Sequence, residues 1–367
     1  MEFVNATRMV TGYTLGTEPS GREWLVIVIK GTFHLPKPGE EVRLHDQQLP
    51  LHMADVWCGA PALSAPRYEA DFALRKQRCD ILLHGSAYAP GGRPATRVPV
   101  GLRVGDRAKS FAVVGNRHWQ CGFGAVTASA PEAFLSQPIG YEAAFGGIDM
   151  SDADPARHTA FMPNPVGRGF HLNLGSECID GAPLPNTEEL ERPVTSPQGA
   201  FMPMAFGPVG RNWDPRIRYA GTYDQRWLEE HFPFLPPDFD ERYYQSAPQD
   251  QQWRQPVSGQ EVALVNLTPD GHRAFMLPDF EAPVNIIAKG GAREDLRATL
   301  DTIVLEPDQE RFSMTWRLAR PLKRSIFEIS QVLVGRKGKE WWQQREQVIF
   351  PIKVQMLPVR QQGSPEP

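Results

Sequence analysis

Between Gly140 and Asp250 the chain carries no regular hydrophobic period. Gly and Pro recur every few positions, with Trp, Tyr, Phe, Arg, Asp and Asn between them, as in GYEAAFGG, NPVGRGF, PLPN, WDPR and LPPDFDERYYQSAPQDQQ. Proline fixes φ and removes a backbone donor, so such a stretch supports neither a long helix nor a central strand. Irregular segments of this length inside a compact domain are functional or disordered. Disordered segments are poor in aromatics, and this one is not. It is therefore expected to be an ordered irregular region packed by its own aromatic side chains. Pro and Gly set its turns, and Asn and Asp bond local backbone.

The flanks have the opposite character. Trp24–Ile29 is an apolar, β-branched run of strand length, suited to burial on both faces. Residues 1–12 form a short first strand, and Cys79–Pro90 (CDILLHGSAYAP) a further strong one. Arg97–Val104, the turn Gly105-Asp106 and the arm that follows make a hairpin. Two more are expected: Glu261–Leu267 with His272–Leu277, and Leu300–Leu305 with Arg311–Leu318, where Phe312, Met314 and Trp316 alternate. Pro283–Ala288 is another strand. Ile326–Val334 fits strand or helix. Lys337–Arg345 fits a short helix, Val348–Leu357 a late strand, and residues 361–367 a frayed tail. The best helix inside the irregular region is Asp224–Phe232, with Asp224 as N-cap and Trp227, Leu228 and Phe232 on one face.

Paired strands, dense Gly/Pro punctuation and few helical patterns define a mainly β protein. Antiparallel sheets in a sandwich-like arrangement are expected, with a long irregular central region and few short helices. A single domain over residues 1–360 is expected. It has N-terminal strands over 1–135, the irregular region over 136–252 and C-terminal strands over 253–360.

Composition excludes several classes. Net charge is -4, which gives no basic footprint for nucleic acid and no attraction to an anionic membrane. No run reaches the ~18 apolar residues of a membrane span. The N-terminal MEFVNATRMVTGYTLG lacks a basic segment followed by an apolar one, so no secretory signal and a cytoplasmic location are expected. Cys58, Cys79, Cys121 and Cys178 are widely spaced, as reduced and mostly buried thiols would be.

The motifs of catalysis are sparse. Neither G-x-x-x-x-G-K-[ST] nor a strand-to-helix G-x-G-x-x-G occurs. The histidines are scattered without H-E-x-x-H, and G-x-S-x-G is missing. Cys58 has His52 nearby in sequence and Cys121 has His118, but a catalytic Cys-His pair is set by space rather than sequence. Asp238 and Asp240 point the same way on an extended segment, which suits a cation, or a turn or salt-bridge role. A hydrolase built on two carboxylates drawn from Glu142, Asp149, Asp224, Asp238 and Asp240 is the enzymatic alternative, as in a carbohydrate-active protein. The stronger reading is structural. Arg168 and Arg216 tie loop carbonyls or pair with Asp224 or Asp238. Asn164 sets a turn before Pro165, and Trp213, Trp227 and Tyr223 form the loops' own small core. Such a rigid platform, rich in Arg and aromatics, suits a partner.

The ordered series VIVIKGTF, CDILLHGSAYAP, VGNRHW, YEAAFGG, NPVGRGF, PLPN, WDPR, AGTYDQRW, LPPDFDERYYQSAPQDQQ and LDTIVLEPDQERFSMTWR resembles the DUF2169 family, from about Phe3 to about Val359. The resemblance implies a bacterial protein encoded beside type VI secretion genes. It implies an adaptor or chaperone, not an enzyme and without cofactor or metal. Such a helper loads a toxic effector onto the VgrG spike, often with a PAAR tip protein, inside the producing cell. The family offers no catalytic residues to carry over. Its recurring positions here, Asn164, Gly167, Arg168, Trp213, Arg216, Asp224 and Trp227, define the fold or the binding surface. Of these, Asn164, Arg168, Trp213, Arg216, Asp224 and Trp227 are the candidate partner-binding residues.

Overall fold

The computed structural model describes residues 1–122, 124–254 and 258–338. Two large sheets face each other across one core. The first has nine strands and is centred on the strand Glu23–His34 (β3), with β1 (Glu2–Asn5) and β2 (Val10–Thr17) before it. Its order runs β1, Ile329–Val334, Ala282–Ala288, Arg293–Glu306, Arg311–Pro321, β3, β2, with Cys79–Leu83 and then Gln252–Trp253 attached to Arg293–Glu306. The second has five strands, ordered Thr187–Glu188, Arg107–Val114, Arg97–Val104, Glu261–Val265, His272–Met276. Leu25, Ile27, Ile29, Ile303, Leu305, Met314 and Trp316 of the first sheet meet Val98, Val100, Leu102, Phe111, Val113, Val262 and Leu264 of the second in a single hydrophobic cluster. The mainly β, sandwich-like expectation is met.

The sheets are not purely antiparallel. β1 runs parallel to Ile329–Val334, Cys79–Leu83 parallel to Arg293–Glu306, and Phe145–Gly146 parallel to Arg168–Gly169. Each pair joins segments far apart in sequence, so no hairpin turn dictates the direction. The first sheet also curls, bringing its two outer strands together at the rings of Phe3 and Tyr13, 5.2 Å apart.

The hairpins at Gly105-Asp106, at Asp270-Gly271 and after Glu306 form as expected. Strand lengths differ in a consistent way. β3 continues past Ile29 to His34, because Lys30 and Thr32 are buried yet satisfied: Lys30 pairs with Asp71, and Thr32 bonds Gln48 and Leu49. Arg293–Glu306 starts well before Leu300, with Arg293, Asp295 and Arg297 on its exposed face. The first strand is two strands, turned by Asn5, whose side chain binds the Met9 carbonyl and accepts from Thr7 N. Cys79–Pro90 breaks at His84 into Cys79–Leu83 and Gly85–Tyr88. Ile326–Val334 is a 3-10 turn followed by a strand. Nearly all of Lys337–Arg345, together with Val348–Leu357 and the tail, lies outside the described residues. Only Cys79 of the four thiols is buried; Cys58 is exposed and the others half-buried, because they sit on loops and short hairpins rather than in the main core.

Candidate interaction surface

The central region is irregular and tightly ordered. Asn164 is its hub. The Asn164 side-chain amide donates to the carbonyls of Tyr141 (2.8 Å) and Phe145 (3.1 Å), and the Asn164 backbone carbonyl accepts from Gly147 N. The packing leaves no room for a β-carbon at two neighbours: at Gly146 one would sit 2.1 Å from the Asn164 carbonyl, and at Gly167 2.3 Å from the Asn164 amide nitrogen. Around this hub lie Trp119, Phe145, Phe170, Phe201 and their neighbours in one small core, and Tyr141, Ala205 and Trp213 in another. Arg168 is half-buried on its two-residue strand. Burial lowers its pKa, against the attraction of Glu142, and the Arg168 Nε has no partner among the described residues.

Ion pairs and hydrogen bonds fasten this region to residues 55–80, the segment that leads into the strand Cys79–Leu83. Arg216 is enclosed and grips Glu69 with both terminal nitrogens, while also donating to the carbonyls of Val209 (2.7 Å) and Tyr243 (2.9 Å). Arg211 binds Asp55 at 2.8 and 3.1 Å. Deeper, a β-bulge leaves Asp301 without a cross-strand partner, and Asp301 turns to Arg317 at 2.6 Å. Arg317 also donates to the carbonyls of Asp71 and Ala73. Lys76 bridges Asp80 and Thr302, and Asp80 accepts from Gln245 and from Ser246. Charges this enclosed are tolerated only when paired and fully hydrogen-bonded. The network thus fixes the loops rather than offering free reactive groups.

One part of the region turns outward. Thr222–Asp238 is a surface loop closed at its base, where Asp238 accepts from Thr222 N (3.0 Å) and Thr222 Oγ1 (2.7 Å). The loop contains the helix Gln225–Glu230, capped by the Asp224 carboxylate accepting from Trp227 N at 2.8 Å. The loop is packed by its own side chains. The Trp227 ring meets Tyr223 at 4.8 Å and Phe232 at 5.7 Å, both edge-on, and Trp227 Nε1 donates to the Phe234 carbonyl. Phe234 rests against Gly21 in the β2–β3 turn. Tyr223 is 53 % exposed, Leu228 51 % and Phe232 62 %. Compact loops with close ends are frequently functional. Four aromatics around one short helix form an apolar knob, supported from beneath and open to solvent.

The six residues singled out from the sequence fall into two groups. Asn164, Trp213 and Arg216 are interior, and half-buried Arg168 stands beside them. Asp224 and Trp227 belong to the knob. Arg216 pairs with Glu69 instead of Asp224 or Asp238, since Asp224 caps the helix and Asp238 closes the loop. Trp213, Trp227 and Tyr223 form no common core: Trp213 packs on Tyr141, the other two on each other. The carboxylates of the hydrolase reading all hold local structure. Glu142 accepts from Ala65 N, and Asp149 from Ser151, Leu172 and Asn173 N. Asp240 caps a 3-10 turn and pairs with Arg242. Hydrogen bonds hold Asp149, Asp238 and Asp240 below the ordinary carboxylate range, the opposite of a general acid's need. The sequence reading missed Asp301 and Arg317, for which the only signal was a charge inside an apolar run. It also missed Phe234, marked by the proline-flanked FPFLPP.

The geometry defines a mainly β scaffold carrying a rigid, aromatic-tipped loop region. This chain belongs to the DUF2169 family, described as an uncharacterized protein conserved in bacteria, whose model matches residues 20–317. No curated protein and no solved structure matches it. Among the described residues no helix is long and apolar enough to cross a membrane, and no group of three or more His, Cys, Asp or Glu is arranged to hold a metal ion.

Proposed function

We propose that this protein is a cytoplasmic adaptor or chaperone that binds a type VI secretion effector and helps load it onto the VgrG spike, with a PAAR protein at the tip. The observation that carries the reading is the knob. Tyr223, Leu228, Phe232 and Phe234 are exposed together on a loop that its own hydrogen bonds hold in shape. Aromatic anchors dominate binding energy at protein interfaces. A preformed loop also lowers the ordering cost of association. An adaptor must hold a folded partner and then release it, which suits a compact patch of a few aromatics better than an extended groove.

The test is a pull-down of the tagged full-length protein from its own bacterium, read by mass spectrometry, beside the same experiment in a strain lacking the neighbouring spike gene. Recovery of a toxin-like protein in both strains, with VgrG lost in the second, is the expected result. Recovery of no partner by a folded protein would overturn the reading.

A further inference from the structure

β2 is an outermost strand without the usual protection. It pairs with β3 along its whole length and with no other strand among the described residues. β1 nears it where the Phe3 ring meets Tyr13, without pairing. Edge strands are normally kept from pairing with other chains by shortness, a charge, a proline or a bulge. β2 has eight residues, VTGYTLGT, with no charge and no proline, and its ladder with β3 runs without a shift of register. Paired residues of an antiparallel ladder point to the same face. Tyr13 stands opposite Ile27 and Leu15 opposite Leu25, both fully buried in the main core. Yet Tyr13 is 44 % exposed and Leu15 42 %.

The order of residues in β2 is nearly the same read in either direction from Thr14. Tyr13 mirrors Leu15, Gly12 mirrors Gly16 and Thr11 mirrors Thr17. The glycines have a local reason, since Leu51, Phe72 and Leu74 pack closely over them on the other face. The Thr, Tyr and Leu positions gain theirs from a second copy. A two-fold interface joins one surface patch to itself, so its residues must suit their own mirror positions. With two copies of β2 antiparallel about Thr14, Tyr13 meets the partner's Leu15, Thr11 meets the partner's Thr17, and the two Thr14 meet each other. Thr–Thr pairs stabilise such a ladder, as do apolar pairs built on an aromatic ring. The charges agree. Arg8 is exposed in the turn before β2 and Glu18 follows its end, and neither is in a salt bridge among the described residues. In this register Glu18 faces the partner's Val10, and the partner's Arg8, two residues further on, is a diagonal neighbour within reach of a long side chain. Opposite charges therefore meet at both ends of the pairing.

We propose that a second copy of this chain pairs along β2, antiparallel and in the register centred on Thr14, giving a two-fold dimer in which Tyr13 and Leu15 of each copy cover those of the other. Such a dimer carries two knobs. The inference is independent of the adaptor reading.

Two measurements on the full-length chain test it. In the first, light scattering gives the mass in solution at micromolar concentration. Wild type is expected at twice the monomer mass. Leu15→Lys, shown to be folded by circular dichroism, is expected at the monomer mass, because it places a charge in the centre of the pairing. In the second, Thr14→Cys and Thr17→Cys are compared in a chain whose Cys58, Cys121 and Cys178 are replaced by Ser. Directly opposite residues have Cα atoms about 4.5–5.5 Å apart, within disulfide reach. The two copies of Thr17, exposed on the same strand, would stand about 20 Å apart in this register. Under mild oxidation Thr14→Cys is expected to cross-link between molecules at least tenfold faster than Thr17→Cys. A monomeric wild type would overturn the proposal. So would a folded Leu15→Lys that stays dimeric, or equal cross-linking at the two positions.

Discussion

At the residue scale, the decisive feature is burial of charge. Arg317 and Asp301 are enclosed together, one from the strand Arg311–Pro321 and the other from a bulge in its neighbour. Removing one partner of such a pair costs about 3–5 kcal/mol, whereas replacing both with apolar residues is often neutral. Arg317→Ala is therefore expected to lose about that much in urea unfolding, and Arg317→Met/Asp301→Leu to recover most of it. Equal losses in both variants would show that Arg317 acts through its bonds to the Asp71 and Ala73 carbonyls instead. His84 gives a pH signature. Its ring sits against Tyr68, and its Nε2 is enclosed without a partner among the described residues. Burial lowers its pKa to about 4. The unfolded chain takes up this proton below about 6.5 and the folded one only near 4. Stability should therefore be intact above pH 6.5 and fall as pH drops toward 4, with a shallower fall in His84→Gln measured by thermal unfolding. Glu306, held below its usual range by Arg311 and Tyr68 against the effect of burial, adds its own loss at lower pH.

At the scale of elements, two tryptophans that look alike in sequence have opposite surroundings. Trp213 is fully enclosed, and Trp213→Ala should cost about 3–5 kcal/mol. Trp227 packs on Tyr223 and Phe232 within the knob, so Trp227→Ala should leave global unfolding within about 1 kcal/mol of wild type, as for surface sites. A comparable loss of global stability for both would mean that the knob is part of the main folding unit. The helix Gln225–Glu230 was legible in sequence, because its Asp cap is a local signal. Hairpins were legible for the same reason: alternation and a Gly-Asp or Asp-Gly turn lie side by side. Strand ends were not. β3 extends through Lys30 and Thr32, and only distant partners, Asp71 and Gln48, make polar residues acceptable there. The separation of Trp213 from Trp227 was invisible likewise, since it depends on which loop each reaches in space.

For the whole molecule, the sequence conveyed a mainly β chain with an ordered irregular centre, and the two facing sheets agree with it. The parallel pairing of β1 with Ile329–Val334 was beyond reach, because it joins the two ends of the described chain. The family's motif residues are now spatially sorted. Most of them build a frame fastened by Asn164 and Arg216, and Asp224 and Trp227 shape the aromatic knob on its surface. In the adaptor account, the frame exists to present the knob. Substitutions in the frame should therefore abolish function by unfolding, and those at the tip by loss of contact alone.

The most direct measurement compares full-length wild type, Phe232→Asp and Met53→Asp as bait in the native bacterium, with circular dichroism on each. Met53 is more exposed than Phe232 but lies outside the knob. The account predicts that all three fold alike, that wild type and Met53→Asp recover the same effector, and that Phe232→Asp recovers it at least tenfold less. A folded Phe232→Asp that recovers the effector as fully as wild type would contradict it.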